Sequence, residues 1–348
     1  MMRSPRFSWH LLGHGGRVLF VVFCLISALA SVSYSADRLF DPLIEKHPDG
    51  WIDWDNGIVY GIGKGYLHLN GNSDNKALRA AKVLALQSIL KVAAGIRLDD
   101  RQTLETLGKG QVVIHLKAFI RFTEHQSVFK DQAPKPYHEV TLQAPMTGIE
   151  GLTSKLLGHL KSKPQTWQDF PIRSGQAIDT KEDQPWLVLD ARQMTASAKL
   201  EPALFPKIMT PSGNTIYELK NVSEQALIER GMVRYVVSDQ PVEKMQARQT
   251  RLETLLNQID NLLSIKEAHA AEKSKRQKRR RYIVKQVQEA QGLMRTNLVI
   301  SENDARQLTE EDASSQILKK CRVIVIAASP IGGIEGQVMR YFATVQAP

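Results

Sequence analysis

A strand pattern broken by glycines and followed by a long alanine-rich helix pattern constrains the fold of this chain more than any other feature. Residues 57–67 read Gly-Ile-Val-Tyr-Gly-Ile-Gly-Lys-Gly-Tyr-Leu, and glycines inside a strand let another backbone approach closely. Ser73 or Asp74 can cap a helix that runs to about Ala94, with Gly95 in the stop position. We therefore expect this helix to pack close against the glycine-containing strand.

This helix and the patterns after it predict a compact first domain. The apolar stripe of the helix consists of Leu78, Ala81, Ala85, Ile89 and Val92. Alternating apolar residues predict strands over 112–122 and 137–143. A capping box at 147–150 predicts a closing helix, whose apolar residues are Leu152, Leu156 and Leu160. The order β-α-β-β-α indicates an α+β domain over 36–162.

A second set of patterns follows the polar, proline-containing segment 163–184, which we interpret as a linker. Strand patterns occur at 186–190, in a hairpin over 207–219, and at 232–237, 298–300 and 323–328. Ser223 and Ser301 can each cap a helix. The fold class is therefore α+β, with two small domains. The second domain comprises 185–241 and 296–329, and 330–348 is a C-terminal tail.

The segment 242–295 interrupts the second domain and differs from everything around it. It contains no proline and a single glycine, Gly292, and it holds thirteen Lys/Arg against six Asp/Glu, in a chain of 348 residues whose formal net charge is +10. A heptad seam consists of Met245, Leu252, Leu255, Ile259 and Leu262. The basic run consists of Lys273, Lys275, Arg276, Lys278, Arg279, Arg280 and Arg281. We expect a helical, basic arm of two helices.

The heptad seam is too short to be stable alone, because helices under about 12–15 residues are marginal in water. It either folds back as a hairpin on a second helix, or pairs with another subunit. The apolar residues of that second helix are Ile283, Val287 and Met294. We favour the hairpin, because both ends of the arm return to strands of one domain.

The N-terminus has the features of a secretory signal peptide. Arg3, Arg6 and Arg17 precede an uncharged apolar run at 18–32, and small residues follow. We expect export and cleavage after Ser35, and hence a periplasmic protein, with association with the outer membrane left open. An uncleaved membrane anchor is the alternative. Cleavage leaves one cysteine, Cys321, which precedes an apolar strand pattern and which we interpret as a buried, inert thiol.

Motifs that carry chemistry are weak in this chain. A phosphate-binding loop needs its glycines to meet a helix N-terminus directly, but the helix begins several residues after Gly65. The histidines show no metal-ligand spacing, so we predict no cofactor, no metal site and no enzyme activity. Asp190, Arg192 and Asp304 could line a crevice, as in an undetected hydrolase, but we favour the simpler interpretation of a local salt bridge or turn cap.

The basic run suggests partners of negative charge. An export signal argues against nucleic acid, and only Tyr282 is adjacent as a stacking aromatic. A solvated surface is one interpretation, and contact with anionic lipid, lipopolysaccharide or an acidic partner is the other.

The first domain resembles a small family of bacterial envelope proteins. The resemblance lies in Gly57-Ile-Val-Tyr-Gly-Ile-Gly63 and in the helix Ala77-Leu-Arg-Ala-Ala-Lys-Val-Leu-Ala-Leu-Gln87. This family contains a small outer-membrane lipoprotein of flagellated bacteria and the N-terminal domain of flagellar assembly protein T. The chain lacks a lipobox, so lipid anchoring does not carry over.

The second domain looks like a module that follows the first in exported proteins of Gram-negative bacteria. The similar stretches are 187–192, 206–208, 231–235, 299–305 and 321–325. Together these resemblances imply a non-enzymatic envelope protein with a structural or adaptor role near the flagellum or another trans-envelope assembly. Its partner would be an envelope or flagellar protein. A polyanion- or membrane-surface-binding protein acting through the arm is the alternative.

Overall fold

The computed structural model describes residues 40–67, 74–107, 121–131, 135–162, 185–194, 199–241 and 282–328. All of these residues belong to one compact unit, Phe40–Pro348. The fold is α+β, with two sheets and four α-helices among the described residues. Our signal peptide, linker and C-terminal tail predictions lie outside the described residues, as do the heptad seam and the basic run.

The first sheet is a five-stranded antiparallel sheet with the strand order β2-β3-β4-β6-β5. Its strands are β2 (Ile44–His47), β3 (Gly50–Asp53), β4 (Ile58–Tyr66), β5 (Thr123–Lys130) and β6 (Tyr137–Pro145). Two helices accompany it in the chain: α1 (Asp74–Ala94) and α2 (Leu152–Ser162). The preceding strand, β1 (Asp41–Pro42), pairs with the other sheet, so the predicted first domain, 36–162, contributes to both sheets.

The glycines of β4 permit α1 to lie directly on the sheet. A Cβ atom added to Gly61, Gly63 or Gly65 would collide with backbone atoms of α1. Ala81 and Ala85 face these glycines and are fully buried. The close packing expected from the sequence is therefore confirmed. The glycines of β4 allow the close approach of α1 and do not form a phosphate-binding loop.

The second sheet is an eight-stranded mixed sheet with the order β1-β10-β13-β7-β11-β12-β8-β9. Its further strands are β7 (Trp186–Asp190), β8 (Ile208–Met209), β9 (Thr215–Tyr217), β10 (Arg234–Val237), β11 (Tyr282–Gln291), β12 (Asn297–Ile300) and β13 (Val323–Ala327). Its helices are α3 (Glu224–Arg230) and α4 (Glu302–Ser315). Strands β10, β13, β7 and β11 run parallel, and β13 is buried along its whole length, as parallel strands covered on both faces are.

Most local patterns are confirmed. The long helix spans Asp74–Ala94 as expected, and the hairpin turns between β8 and β9. The side chain of Ser301 accepts a hydrogen bond from the backbone of Asp304 and so caps α4. The cap of α2 is wrong, because the helix begins only at Leu152, and Glu150 pairs with Lys155 instead. Of the strand predicted over 112–122, residues 112–120 lie outside the described residues, and the observed strand begins at Thr123.

The second helix of the predicted arm is wrong. Residues 282–291 form β11, which lies between β7 and β12 inside the eight-stranded sheet. Ile283 and Val287 are buried, and their spacing of four places them on one face of a helix and equally on one face of a strand. Lys285, midway between them, is buried as well. Burial of every second residue is the pattern of a strand and not of a helix. Met294 lies in the turn after β11. The arm of 242–295 therefore cannot extend past 281.

Candidate functional site

A cleft of about 380 Å³ lies where the two sheets meet. It is lined by residues from both sheets: Trp54, Asp55, Asn56, Gly57, Met146, Thr147, Thr153, Trp186, Ala203, Leu204, Glu229, Arg230, Gly231, Met232, Val233 and Arg234. One wall comes from the β3–β4 turn and the start of α2, and the other from the end of α3 and the starts of β7 and β10. This volume falls within the roughly 300–1,000 Å³ typical of ligand sites.

An ion pair joins the two walls of the cleft. Nε and Nη2 of Arg234 donate to Oδ1 of Asp55 at 3.0 and 2.7 Å. The Asp53 carboxylate accepts hydrogen bonds from the backbone of Asp55 and Asn56 at 3.1 and 2.9 Å, an Asx turn that presents Asp55 to the cleft. The guanidinium of Arg234 also lies 5.9 Å from the ring centre of Trp186, which adds a cation–π contact.

The floor of the cleft holds an unsatisfied polar group. Thr153 is 1% exposed, and its hydroxyl has no hydrogen-bond partner in the described part of the chain. A buried hydroxyl without a partner costs about 1–3 kcal/mol. The backbone of Gly148, in the turn before α2, donates to the carbonyl of Ile228 in α3 at 2.6 Å, so this turn is joined directly to α3.

A second set of contacts joins the two sheets through Arg97. Nη2 of Arg97 lies 2.8 Å from Glu45 and 3.1 Å from Glu201, and its Nε donates to the carbonyl of Pro202 at 2.8 Å. Backbone hydrogen bonds from Leu204 and Phe205 to the 97–98 segment follow at 2.9 and 2.8 Å. Because ion pairs and backbone bonds both cross between the sheets, the walls of the cleft are held in place.

Of the predicted crevice residues, Asp190 and Arg192 come together, and Asp304 lies elsewhere. Both carboxylate oxygens of Asp190 accept from Arg192, at 2.8 and 2.7 Å. Burial raises the pKa of Asp190, but the hydrogen bonds and charge of Arg192 outweigh burial, so the pKa lies below its usual value. Asp304 instead accepts from Ser301 at 2.8 Å and lies 3.3 Å from Lys285.

The pleat of β11 keeps these two acids apart. Gln286 is opposite Asp190 in the ladder, and its amide donates to that carboxylate at 3.4 Å. Lys285, which contacts Asp304, is the neighbouring residue, and successive side chains of a strand point to opposite faces. Asp190 and Asp304 therefore lie on opposite faces of the sheet, in a local ion pair and a helix cap.

The remaining chemical candidates are buried or dispersed. Cys321 is 2% exposed, which confirms its burial, and burial raises the pKa of its thiol to about 12. Among the described residues, no group of three His, Cys, Asp or Glu side chains could hold a metal ion. Within the same residues, none of the helices has the length and apolar character of a membrane span.

Sequence patterns did not find the cleft, because its key pair is distant in the chain. Asp55 and Arg234 are 179 residues apart, and neither belongs to a recognisable motif. The one local signal is the turn sequence Asp53-Trp-Asp-Asn-Gly57, which predicts an Asx turn but not the partner that it faces.

Comparison with known proteins gives one family match. Residues 186–256 and 260–329 match the model of a family described as Treponema pallidum Tp0624, second domain. A search of curated proteins finds no match to the chain. The matched segments contain every strand of the eight-stranded sheet except β1 and none of the five-stranded sheet. The chain is thus similar to that second domain over the residues that build its larger sheet.

Proposed function

We propose that this is a non-enzymatic, exported protein of the cell envelope with a structural or adaptor role, and that a segment of a partner protein occupies the cleft. The observation that carries the proposal is the double connection of the sheets, through Asp55–Arg234 at the cleft and through Arg97 with Glu45 and Glu201. A cleft with fixed walls binds a partner without the entropic cost of ordering its own elements.

The charged pairs of the second sheet act mainly on the protein itself. At the cleft, Asp55 fixes Arg234. At the end of β7 away from the cleft, Asp190 fixes Arg192, whose guanidinium also donates to the carbonyls of Ser238 and Gln240 at 3.1 and 2.7 Å. Such pairs position neighbouring loops and strands, which suits a scaffold that presents a binding surface.

The envelope location rests on the sequence. The basic start, the apolar run at 18–32 and the small residues before Ala36 favour export. The resemblance of the first domain to envelope proteins favours the same compartment. A role at the flagellum rests on family analogy.

Site-specific photocrosslinking in living cells tests the adaptor role. A photoreactive phenylalanine analogue at Glu229, in the cleft, should yield a single adduct with one envelope protein. The same analogue at Glu310, which is exposed on α4 and does not line the cleft, is the matched control. Equal adducts at both positions, or none at Glu229, would contradict the proposal. Mass spectrometry of the mature N-terminus tests export, and an intact Met1 in the cytoplasm would contradict it.

A second candidate is the binding of polyanions through the basic run at 273–281. It rests on the sequence, because the run lies outside the described residues. Replacement of the seven cations of the run by serine and glutamine should then abolish salt-sensitive retention on heparin.

A further inference from the structure

The helix α1 exposes aliphatic side chains on the side that faces away from the sheet. Its inner face rests on the glycines of β4. On the opposite side, Val83 and Leu86 are 56% and 36% exposed. Positions 76, 79, 83, 86 and 90 recur at spacings of three or four, so Lys76 and Arg79 share this face with Val83 and Leu86. We call the surface formed by Lys76, Arg79, Val83 and Leu86 the outer face of α1.

After Asp74, the charged residues of α1 are all basic. Between residues 75 and 94 the sequence contains Lys76, Arg79, Lys82 and Lys91 and no acidic residue. Asp74, at the start of the helix, lies 2.6 Å from His138. Lys82 and Lys91 reach acids of neighbouring elements, at 2.8 Å and 3.5 Å. Lys76 and Arg79 remain at the exposed end, where they enrich the surface in positive charge.

We propose that the outer face of α1 docks on an anionic phospholipid bilayer. A basic helix with one apolar face lies in the membrane interface, where its aliphatic side chains enter the boundary of headgroups and chains and its cations meet lipid phosphates. The outer face spans residues 76–86 and so presents a contact about 15 Å long. Cations without a single acid along such a contact match the diffuse negative charge of a bilayer. This inference goes beyond the adaptor role and is independent of what occupies the cleft.

Vesicle sedimentation tests the proposal with the full chain. Vesicles of phosphatidylglycerol and phosphatidylcholine in equal parts are compared with vesicles of phosphatidylcholine alone. The parent protein should sediment with the anionic vesicles and dissociate as salt rises. The double variants K76Q/R79Q and V83S/L86S should each bind at least about tenfold more weakly, because the first removes both cations of the outer face and the second removes both of its aliphatic side chains.

Two controls separate this surface from the rest of the chain. L293S removes an aliphatic side chain that is 85% exposed on the β11–β12 turn, and it should bind like the parent. The α1 substitutions are also made in a protein whose basic run at 273–281 has been neutralised. In that background they should weaken vesicle binding by the same factor as in the parent. The proposal is overturned if both α1 variants bind anionic vesicles like the parent, or if L293S loses as much binding as they do. Unfolding curves for each variant check that it is folded, so that a lower affinity can be assigned to the lost contact with the bilayer.

Discussion

The two sheets hold their elements together in different ways. In the five-stranded sheet, the backbone of α1 packs directly on β4. The strand has glycines at the contact, at 61, 63 and 65, and the helix has alanines there. In the eight-stranded sheet, β13 is Val-Ile-Val-Ile-Ala and every residue of it is buried. The contact between α1 and β4 depends on the absence of side chains from β4. The packing of β13 depends on its many buried apolar side chains. The first should therefore be intolerant of any added atom, whereas the second should lose stability by increments.

The largest expected effect comes from Gly63→Val. A Cβ at this position would collide with the backbone of Ala81 and Ala85, and a helix backbone cannot yield as a flexible side chain can. We expect a loss of about 3 kcal/mol or more in the free energy of unfolding, measured by urea denaturation followed by circular dichroism.

Gly158→Ala is the matched control for that prediction. Gly158 lies inside α2, and a Cβ there meets nothing within 4 Å. Alanine should stabilise the helix by about 0.5–1 kcal/mol. If Gly63→Val were equally harmless, the close approach of α1 would not be the basis of the first sheet.

Arg97→Met tests whether the two sheets unfold together. The guanidinium is 16% exposed and contacts Glu45, Glu201 and the carbonyl of Pro202. Its loss leaves Glu201 without this partner and leaves Glu45 with the indole N–H of Trp54 but no cation from Arg97. We expect a cost of about 2 kcal/mol. Lys155→Met, which breaks a pair with the exposed Glu150, should leave the free energy of unfolding nearly unchanged, because water screens this pair. A cost for Arg97→Met no larger than that of Lys155→Met would mean that the sheets are not coupled there.

Alkaline pH should destabilise the eight-stranded sheet in particular. Burial raises the pKa of Cys321 from an ordinary value of 9.0 to about 12, and burial raises the pKa of Tyr217 and Tyr235 above their ordinary 10.0. These groups keep their protons in the folded state and release them first in the unfolded chain. Their contribution is therefore complete below pH 9 and lost as the pH rises towards 12.

The expected slope is about 1.4 kcal/mol per pH unit for each group that ionises only in the unfolded chain. Urea unfolding at neutral pH and at several values above 9 measures it. In the Cys321→Ala variant, the free energy of unfolding should fall less steeply with pH just above 9, whatever the effect of the substitution on stability at neutral pH. A stability that is constant through this range would contradict the burial of all three groups.

The smallest expected effect is that of Tyr217→Phe. The hydroxyl of Tyr217 donates to the carbonyl of Met232 at 3.0 Å in the core of the second sheet. Its removal should cost about 1 kcal/mol, because one buried acceptor loses its partner. Tyr66→Phe, at a ring that is half exposed on the first sheet, should change stability by less than about 0.5 kcal/mol. Thermal unfolding of both variants makes the comparison.

Local order in this protein was readable from the sequence. Glycines and alanines at matching intervals predicted how α1 packs, the Ser301 cap placed the start of α4, and the apolar run after Cys321 predicted its burial. These features depend on residues a few positions apart, whose geometry is set by the backbone itself.

Other features depended on partners far along the chain. The spacing of Ile283 and Val287 fits a helix and a strand alike, and only the place between β7 and β12 made 282–291 a strand. The pleat of that same strand, not any motif, separated Asp190 from Asp304. The cleft arose where Asp55 met Arg234 across two sheets. Periodicity records which side of an element faces the core, but it carries no record of which distant element will cover that side, because the pairing is decided by the packing of the whole chain.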